Sequence, residues 1–446
     1  MKTRLRFAPS PTGNLHVGNA RTALVNYLFC RSISGEMMLR IDDTDEERSK
    51  KEFEENIKSD LNWMGIFWEM TDRQSTRIKN YNDALNKLFE SGRAYRCYET
   101  QEELSLKRKA QLMSGKPPVY DRQGLSLQQK DHEKFANEGK LPHWRFKLTD
   151  DEVVWDDLIR GKCTYDMRSL SDPVIMREDG RPIYTLASVV DDIDHEITHI
   201  IRGEDHVTNS AAQIQLFKAL GIQPPSLGHL SLIAGSEGEG LSKRLGSLSL
   251  GQLKQEGLES NALTSLLAKL GTSDPISFIE NIEGLIKDFD LKKFSRNTAK
   301  FDMKDLYLLN KKSIQSMSYQ EALKRLKLID LDNINEEFWN TVSGNLNNLK
   351  EIKLWWNVVF GEIKPIIDNR HLIDIAIKLF PNETLDQTTW GSWCKIISSE
   401  SDFKGKELFI SLRKALTSYD YGPELSKLLP MIGKEKILSR LSGNVS

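Results

Sequence analysis

At 446 residues the chain is too long for one ordinary core and implies roughly two to four domains. Charged residues make up 28% and hydrophobic ones 39%, a globular and well-solvated composition, and no run of about 18 apolar residues marks a membrane span. A net charge of −2 excludes a fold that is basic as a whole, so a nucleic-acid partner would have to be met by local basic patches.

Four cysteines, Cys30, Cys97, Cys163 and Cys394, lie far apart without a CxxC pair, which argues against a disulfide frame and against a thiolate zinc site. The opening MKTRLRFAPSPTG lacks the apolar core of a signal peptide. A soluble, cytoplasmic protein is expected.

In chain order, LRFA reads as a strand, NARTALVNYLF as a helix, EMMLRIDD as a strand and ERSKKEFEENIKSDLNWMG as an amphipathic helix. This is the βαβ rhythm of a parallel sheet. Residues 99 to about 171 break it with a basic, proline-containing segment and then with alternating runs such as HWRFKL and EVVWDDLIRG, which reads as an insertion. The rhythm returns in IYTLASVVDDIDHEITHIIRGEDH and AAQIQLFKALG, and from about residue 250 the pattern is almost entirely helical. The expected architecture is a split α/β head followed by an all-α tail.

Between the first strand and first helix stands APSPTGNLHVGN. Prolines 9 and 11 restrict φ, and Gly13 and Gly18 permit close approach, so the loop holds one shape at a helix N-terminus. Backbone N–H groups and the positive end of the helix dipole there suit an anion, and His16 and Asn19, three apart, can reach a phosphate from one side of the first turn. A proline-glycine turn with a chance histidine is the competing explanation of HVGN alone. A second feature, GEGLSKRLGS over residues 238–247, carries Ser242, Lys243 and Arg244 at the tip of a glycine-rich loop. A cationic loop of this kind suits charge that grows in a transition state; by itself it is also an ordinary basic surface loop.

An HxGx loop closing the first strand of a nucleotide-binding sheet, with an LSKR loop far downstream, resembles the class I aminoacyl-tRNA synthetases. Within that class RFAPSPTG, RIDDTDEERS, VVDDIDHEITHIIRGEDHVTN and LSKRLGS look like the bacterial glutamyl-tRNA synthetases, through most of residues 4 to 314. Glutaminyl relatives carry a PEPNG-type loop and β-barrel tails, unlike Pro9-Ser10-Pro11-Thr12-Gly13 and the helical tail here.

The resemblance implies a Rossmann-type catalytic domain over 1–98 and 172–235, an inserted tRNA acceptor-binding domain over 99–171, a stem-contact region over 236–314 and an anticodon-binding domain over 315–446. ATP would be held by Thr12, Gly13, His16, Gly18, Asn19, Leu241, Ser242, Lys243 and Arg244, with His16 and Lys243 as the catalytic pair and Mg2+ on the phosphates. Arg6 and Arg202 end apolar strands and would emerge at the carboxyl edge of the sheet, where open α/β sheets bind ligands. By resemblance they take the carboxylates of glutamate with Tyr184, while Ser10 and Asp42 take its amino group. An ion pair of Arg202 with Glu204 or Asp205 is the structural alternative. Asp191 and Asp192 are read as capping or supporting the neighbouring loop.

The chain departs from the family pattern at two positions. Asp42 stands where glutamate is usual, and Gly240 where the flexible loop usually has a lysine. The zinc cluster of some relatives is absent, Cys97 being isolated in YRCYET, so no structural zinc is expected. Lys107, Arg108 and Lys109, with Lys116 and Arg122, fall where relatives hold the tRNA acceptor end, and a solvated helix face is the other reading of this run. Trp339, Trp355, Trp356, Trp390 and Trp393 read as core. Aligned on Leu349-Lys350-Glu351, Asn345 stands where strict relatives place an arginine against the anticodon, which implies that the glutamine tRNA is charged as well. The expected activity is ATP-dependent glutamylation of tRNA by a monomer. A tRNA-modifying glutamylating enzyme, a catalytically silent RNA-binding paralogue and a small nucleotidylyltransferase are the alternatives.

Overall fold

The computed structural model describes residues 2–235, 237, 249–327, 331 and 334–446. The chain opens with β1 (Arg4–Phe7), α1 (Val17–Ser32), β2 (Glu36–Ile41), α2 (Lys51–Trp63), β3 (Met70–Arg73) and α3 (Ile78–Glu90). In α3 the apolar side chains recur at helical spacing, so Tyr81, Ala84, Leu85 and Leu88 are buried on one face. An excursion follows: β4 (Ala94–Cys97), α4 (Gln101–Met113), α5 (Gln129–Asn137), β5 (His143–Phe146), β6 (Glu152–Asp157), β7 (Gly161–Asp166) and β8 (Val174–Met176). Then come α6 (Tyr184–Asp194), β9 (His199–Gly203), α7 (Val207–Ala219), β10 (Ser226–Leu230) and β11 (Ile233–Gly235).

Five strands form one parallel sheet in the order β10-β9-β1-β2-β3. The chain winds outward from β1 through β2 to β3, then crosses back to lay β9 on the other side of β1. This reversal is a topological switch point, and it opens a crevice at the carboxyl ends of β1 and β9. Burial of nearly the whole of β2 explains why EMMLRI runs apolar instead of alternating. In the excursion β4, β5 and β8 form an antiparallel sheet, and β6 and β7 a hairpin. The strands that flank the inserted residues therefore pair with one inside them.

Downstream lie α8 (Leu250–Gln255), α9 (Ser260–Lys269), α10 (Ile282–Asp288), β12 (Ala299–Phe301), α11 (Met303–Ser316), α12 (Tyr319–Leu326), α13 (Glu336–Val342), α14 (Ile352–Val359), α15 (Arg370–Lys378), α16 (Thr389–Glu400), α17 (Gly405–Thr417), α18 (Leu425–Ile432) and α19 (Lys434–Leu441). The helical expectation holds except at β12, a three-residue strand parallel to β11. The chain divides into two compact units, Met1–Lys254 with Leu263–Met303, and Gln255–Ala262 with Lys304–Ser446. In the second unit Trp339, Trp355 and Trp393 are fully buried, with Trp356 and Trp390 packed against the same core. Among the described residues no helix is long and apolar enough to cross a membrane.

Candidate active site

The loop from Pro9 to His16 is tied down at both prolines. The Pro9 carbonyl accepts from the Asp42 N–H at 3.0 Å, and the Pro11 carbonyl accepts from the Lys50 N–H at 3.0 Å. Its last residue, His16, caps α1: Nδ1 accepts from the Gly18 N–H at 3.1 Å. With Nδ1 an acceptor, the neutral ring carries its proton on Nε2 and can donate there. Burial pushes the pKa of His16 down, which keeps the ring neutral near pH 7. Gly18 is required by close approach, since a Cβ at this position would lie 2.9 Å from His16 Cε1.

This loop, the carboxyl ends of β1 and β9 and the start of α6 enclose a cavity of about 630 Å³. All the described residues expected to bind the nucleotide (Thr12, Gly13, His16, Gly18, Asn19) or the amino acid (Arg6, Ser10, Asp42, Tyr184, Arg202) line it. Leu241, Ser242, Lys243 and Arg244 lie outside the described residues.

Arg202 is buried, at 6% exposure, yet among the described residues no carboxylate pairs with it. Nη1 donates to Tyr184 Oη at 2.6 Å, Nη2 to Ser210 Oγ and Gln213 Oε1 at 2.7 Å each, and Nε to His229 Nε2 at 3.4 Å. Four of its five N–H groups are thus spent on neutral acceptors. One Nη1–H and the Tyr184 O–H remain as a pair of donors; Asp192 feels the charge of Arg202 but forms no salt bridge with it, and the free donors suit an anionic ligand. The alternative ion pairs are not formed: Glu204 binds Arg160, and Asp205 lies 3.6 Å from His206.

Arg6 is held differently. Its Nε donates to Asp192 Oδ1 at 3.0 Å, and the same oxygen accepts from Arg40 Nη1 at 2.8 Å. Arg40 also grips both oxygens of Asp42, at 2.7 and 3.1 Å. Burial pushes the Asp42 carboxyl up to about 6 even with Arg40 beside it, whereas for Asp192 the two guanidinium groups outweigh burial and hold its pKa below the usual range. Asp192 is therefore the buried centre of an ion-pair network. Asp191 accepts from Gln74, Arg77 and Tyr81. α6 turns both aspartates into the interior, so neither is a surface cap, but Asp191 supports the turn Gln74–Arg77 between β3 and α3. Sequence reading missed Arg40, Ser210 and His229 and did not place Asp192 against Arg6 and Arg40; an arginine inside an otherwise apolar buried strand was the one available signal.

Outside the cavity, Cys97, Glu99 and His143 bring ligand-capable atoms within 4.8 Å of one another. Cys97 is thus not isolated in space, because pairing of β4 with β5 sets His143 opposite it. Tyr120 Oη lies 3.4 Å from Cys97 Sγ and donates to Glu99 at 2.8 Å, and burial pushes the thiol up to about 11. In α4, Lys107 is engaged by Asp121 at 3.0 Å and Glu99 at 3.5 Å, while Arg108 and Lys109 are exposed. Asn345 is exposed in a 3-10 turn of the second unit.

The family described as tRNA synthetases class I (E and Q), catalytic domain, matches residues 2–308. The chain is 47% identical over 445 residues, 100% of both chains, to glutamate–tRNA ligase 1 of Maricaulis maris (strain MCS10). It is 46% identical over 450 residues to glutamate–tRNA ligase of Azospirillum brasilense, again with full coverage of both. Among solved structures it resembles a glutamate tRNA ligase from Elizabethkingia meningosepticum in complex with its amino acid, at TM-score 0.87, 27% identity and 99% coverage of each chain.

Proposed function

This chain belongs to the class I tRNA synthetases of the E and Q group, and from that premise we propose that it joins glutamate to the 3′ end of tRNA, using ATP, through a glutamyl-adenylate. The observation that carries the reading is Arg202, a buried guanidinium whose hydrogen-bond partners among the described residues are all neutral, in the same cavity as the His16 loop. Arg202 and Tyr184 take one substrate carboxylate, and Arg6 serves the other. Asp42 and Ser10 receive the ammonium. The α-carboxylate then attacks the α-phosphate of ATP and pyrophosphate leaves; a terminal ribose hydroxyl of tRNA next attacks the acyl carbon and AMP leaves. His16 donates Nε2–H to a phosphate. Thr12, Gly13, Gly18 and Asn19 form the rest of the phosphate cradle, and Leu241, Ser242, Lys243 and Arg244 also bind ATP.

Of the carboxylates lining the cavity, Asp42 is bound by Arg40 and Asp205 neighbours His206, so the described residues offer no cage of several carboxylates. Mg2+ is accordingly assigned to the phosphates of ATP. No structural zinc is proposed, because Cys97, Glu99 and His143 fall one short of the four ligands a structural site uses.

Residues 1–98 and 172–235 serve as the catalytic domain, 99–171 hold the acceptor end through Lys107, Arg108 and Lys109, 236–314 contact the stem, and 315–446 read the anticodon. The enzyme acts as a cytoplasmic monomer. Asn345 favours relaxed recognition, since an amide both donates and accepts while a guanidinium only donates. Glutamate is then loaded on the glutamine tRNA as well. Charging of total tRNA with labelled glutamate tests the activity. Purified transcripts of both tRNAs test the relaxation: an efficiency ratio above about 10³, roughly 4 kcal/mol, overturns it.

A further inference from the structure

The fork of Arg202 does not stand on its own strand alone. His229, on β10, is fully buried, and its ring lies between Arg202 and a carboxylate from the excursion. Nδ1 is 2.5 Å from Asp157 Oδ2, and Nε2 is 2.8 Å from Ser210 Oγ and 3.4 Å from Arg202 Nε. Asp157 ends β6, the first strand of the β6–β7 hairpin. Its Oδ1 accepts three backbone N–H groups: Ile159 at 3.0 Å, Arg160 at 2.9 Å and His229 at 3.1 Å. The hairpin is also tied to β10 by the Leu158 N–H, which donates to the Leu227 carbonyl at 2.8 Å.

These contacts fix the ring tautomer. A carboxylate only accepts, so His229 must carry its proton on Nδ1, which leaves Nε2 as an acceptor facing Arg202 Nε–H and Ser210 Oγ, whose hydroxyl also lies 3.2 Å from the His206 carbonyl and can donate to either. Ser210 Oγ in turn accepts from Arg202 Nη2 at 2.7 Å. We propose that Asp157, His229 and Ser210 are positioning residues for substrate binding: Asp157 sets the His229 tautomer, and His229 and Ser210 together hold the Arg202 fork so that its remaining Nη1–H and the Tyr184 hydroxyl meet a glutamate carboxylate. The inserted hairpin is then a part of the amino-acid site, although none of its side chains reaches the cavity. The inference rests on the reading of Arg202 as a carboxylate ligand.

Asp157→Asn tests it with almost no change of shape. The amide oxygen keeps the three backbone bonds, but the amide nitrogen must donate to His229 Nδ1. The ring proton moves to Nε2, where it opposes Arg202 Nε–H. The expected result is a KM for glutamate raised about 10- to 100-fold, with the KM for ATP, the KM for tRNA and the melting temperature nearly unchanged. Ser210→Ala removes the hydroxyl but keeps the Asp157–His229 pair, and should raise the KM for glutamate about 3- to 10-fold. A KM for glutamate within about twofold of wild type in both variants overturns the proposal. So does a parallel rise of all three KM values with a fallen melting temperature in Ser210→Ala, which marks damage to the fold. Should Asp157→Asn not fold, Ser210→Ala decides alone. Failure of the wild-type enzyme to charge tRNA with glutamate would instead sink the functional reading itself, so the two failures are told apart.

Discussion

One carboxylate, that of Asp42, serves two partners: Arg40 occupies both of its oxygens, and a substrate ammonium must share them. With its pKa pushed up to about 6, Asp42 is ionised at pH 7 and protonated below pH 6, and protonation removes the charge that the ammonium needs. The KM for glutamate should therefore rise about tenfold between pH 7 and pH 5, with the KM for ATP as control; a flat profile would show Asp42 to be ionised throughout. Gly18 offers a second test, because a methyl group there would stand 2.9 Å from His16 Cε1 and displace the ring that caps α1. Alanine is the better helix former by about 1 kcal/mol, which offsets a lost cap of about the same size, so Gly18→Ala should leave stability about level while adenylate formation falls about 10-fold or more. Activity equal to wild type in pyrophosphate exchange would mean that the ring's position is not critical.

At the scale of elements, α4 buries no residue, and its basic run is divided. Lys107 is paired to the body of the excursion, and Arg108 and Lys109 point to solvent. Arg108→Ala with Lys109→Ala should raise the KM for tRNA and reduce the salt dependence of tRNA binding by about two in slope, leaving the KM for glutamate alone. An unchanged slope would make this a solvated helix face. In the LSKR loop, Lys243→Ala should lower the activation rate about 10²- to 10³-fold at nearly constant glutamate affinity; a near-normal rate would show that this loop can lose a cation. The strand–loop–helix entry was legible in the sequence because proline, glycine and the change of hydrophobic period are local signals. So were the places of Arg6 and Arg202 at strand ends. What could not be read is how the residues around them pair. Arg40 meets Asp192, and Asp157 meets His229, across long stretches of chain, and a histidine inside the apolar run LGHLSL carries no mark of the carboxylate it will face.

At the scale of the whole molecule, each of the two units has its own core, and that of the second includes a very close approach of backbone to side chain. Gly422 has φ +128, and a Cβ there would fall 2.0 Å from Trp355 Cη2, a side chain 2% exposed and flanked by Tyr419 and Tyr421. Gly422→Ala should cost about 3 kcal/mol, from overpacking and from a backbone conformation that alanine resists. Hydrogen exchange should locate the loss in residues 304–446 and spare the parallel sheet; uniform loosening of both units would contradict this. The parallel sheet has a history of its own during synthesis. Arg6 leaves the ribosome with the first strand, but β1 gains its β9 neighbour, paired at Leu5 and His199, only after the entire excursion has been made. Contacts so distant along the chain form slowly, while the antiparallel strands of the excursion pair over shorter separations. The nascent chain thus carries an exposed β1 edge and an unpaired buried-type arginine until β9 arrives, and the pocket that selects the amino acid is completed late, after the segment assigned to the tRNA end has had time to fold.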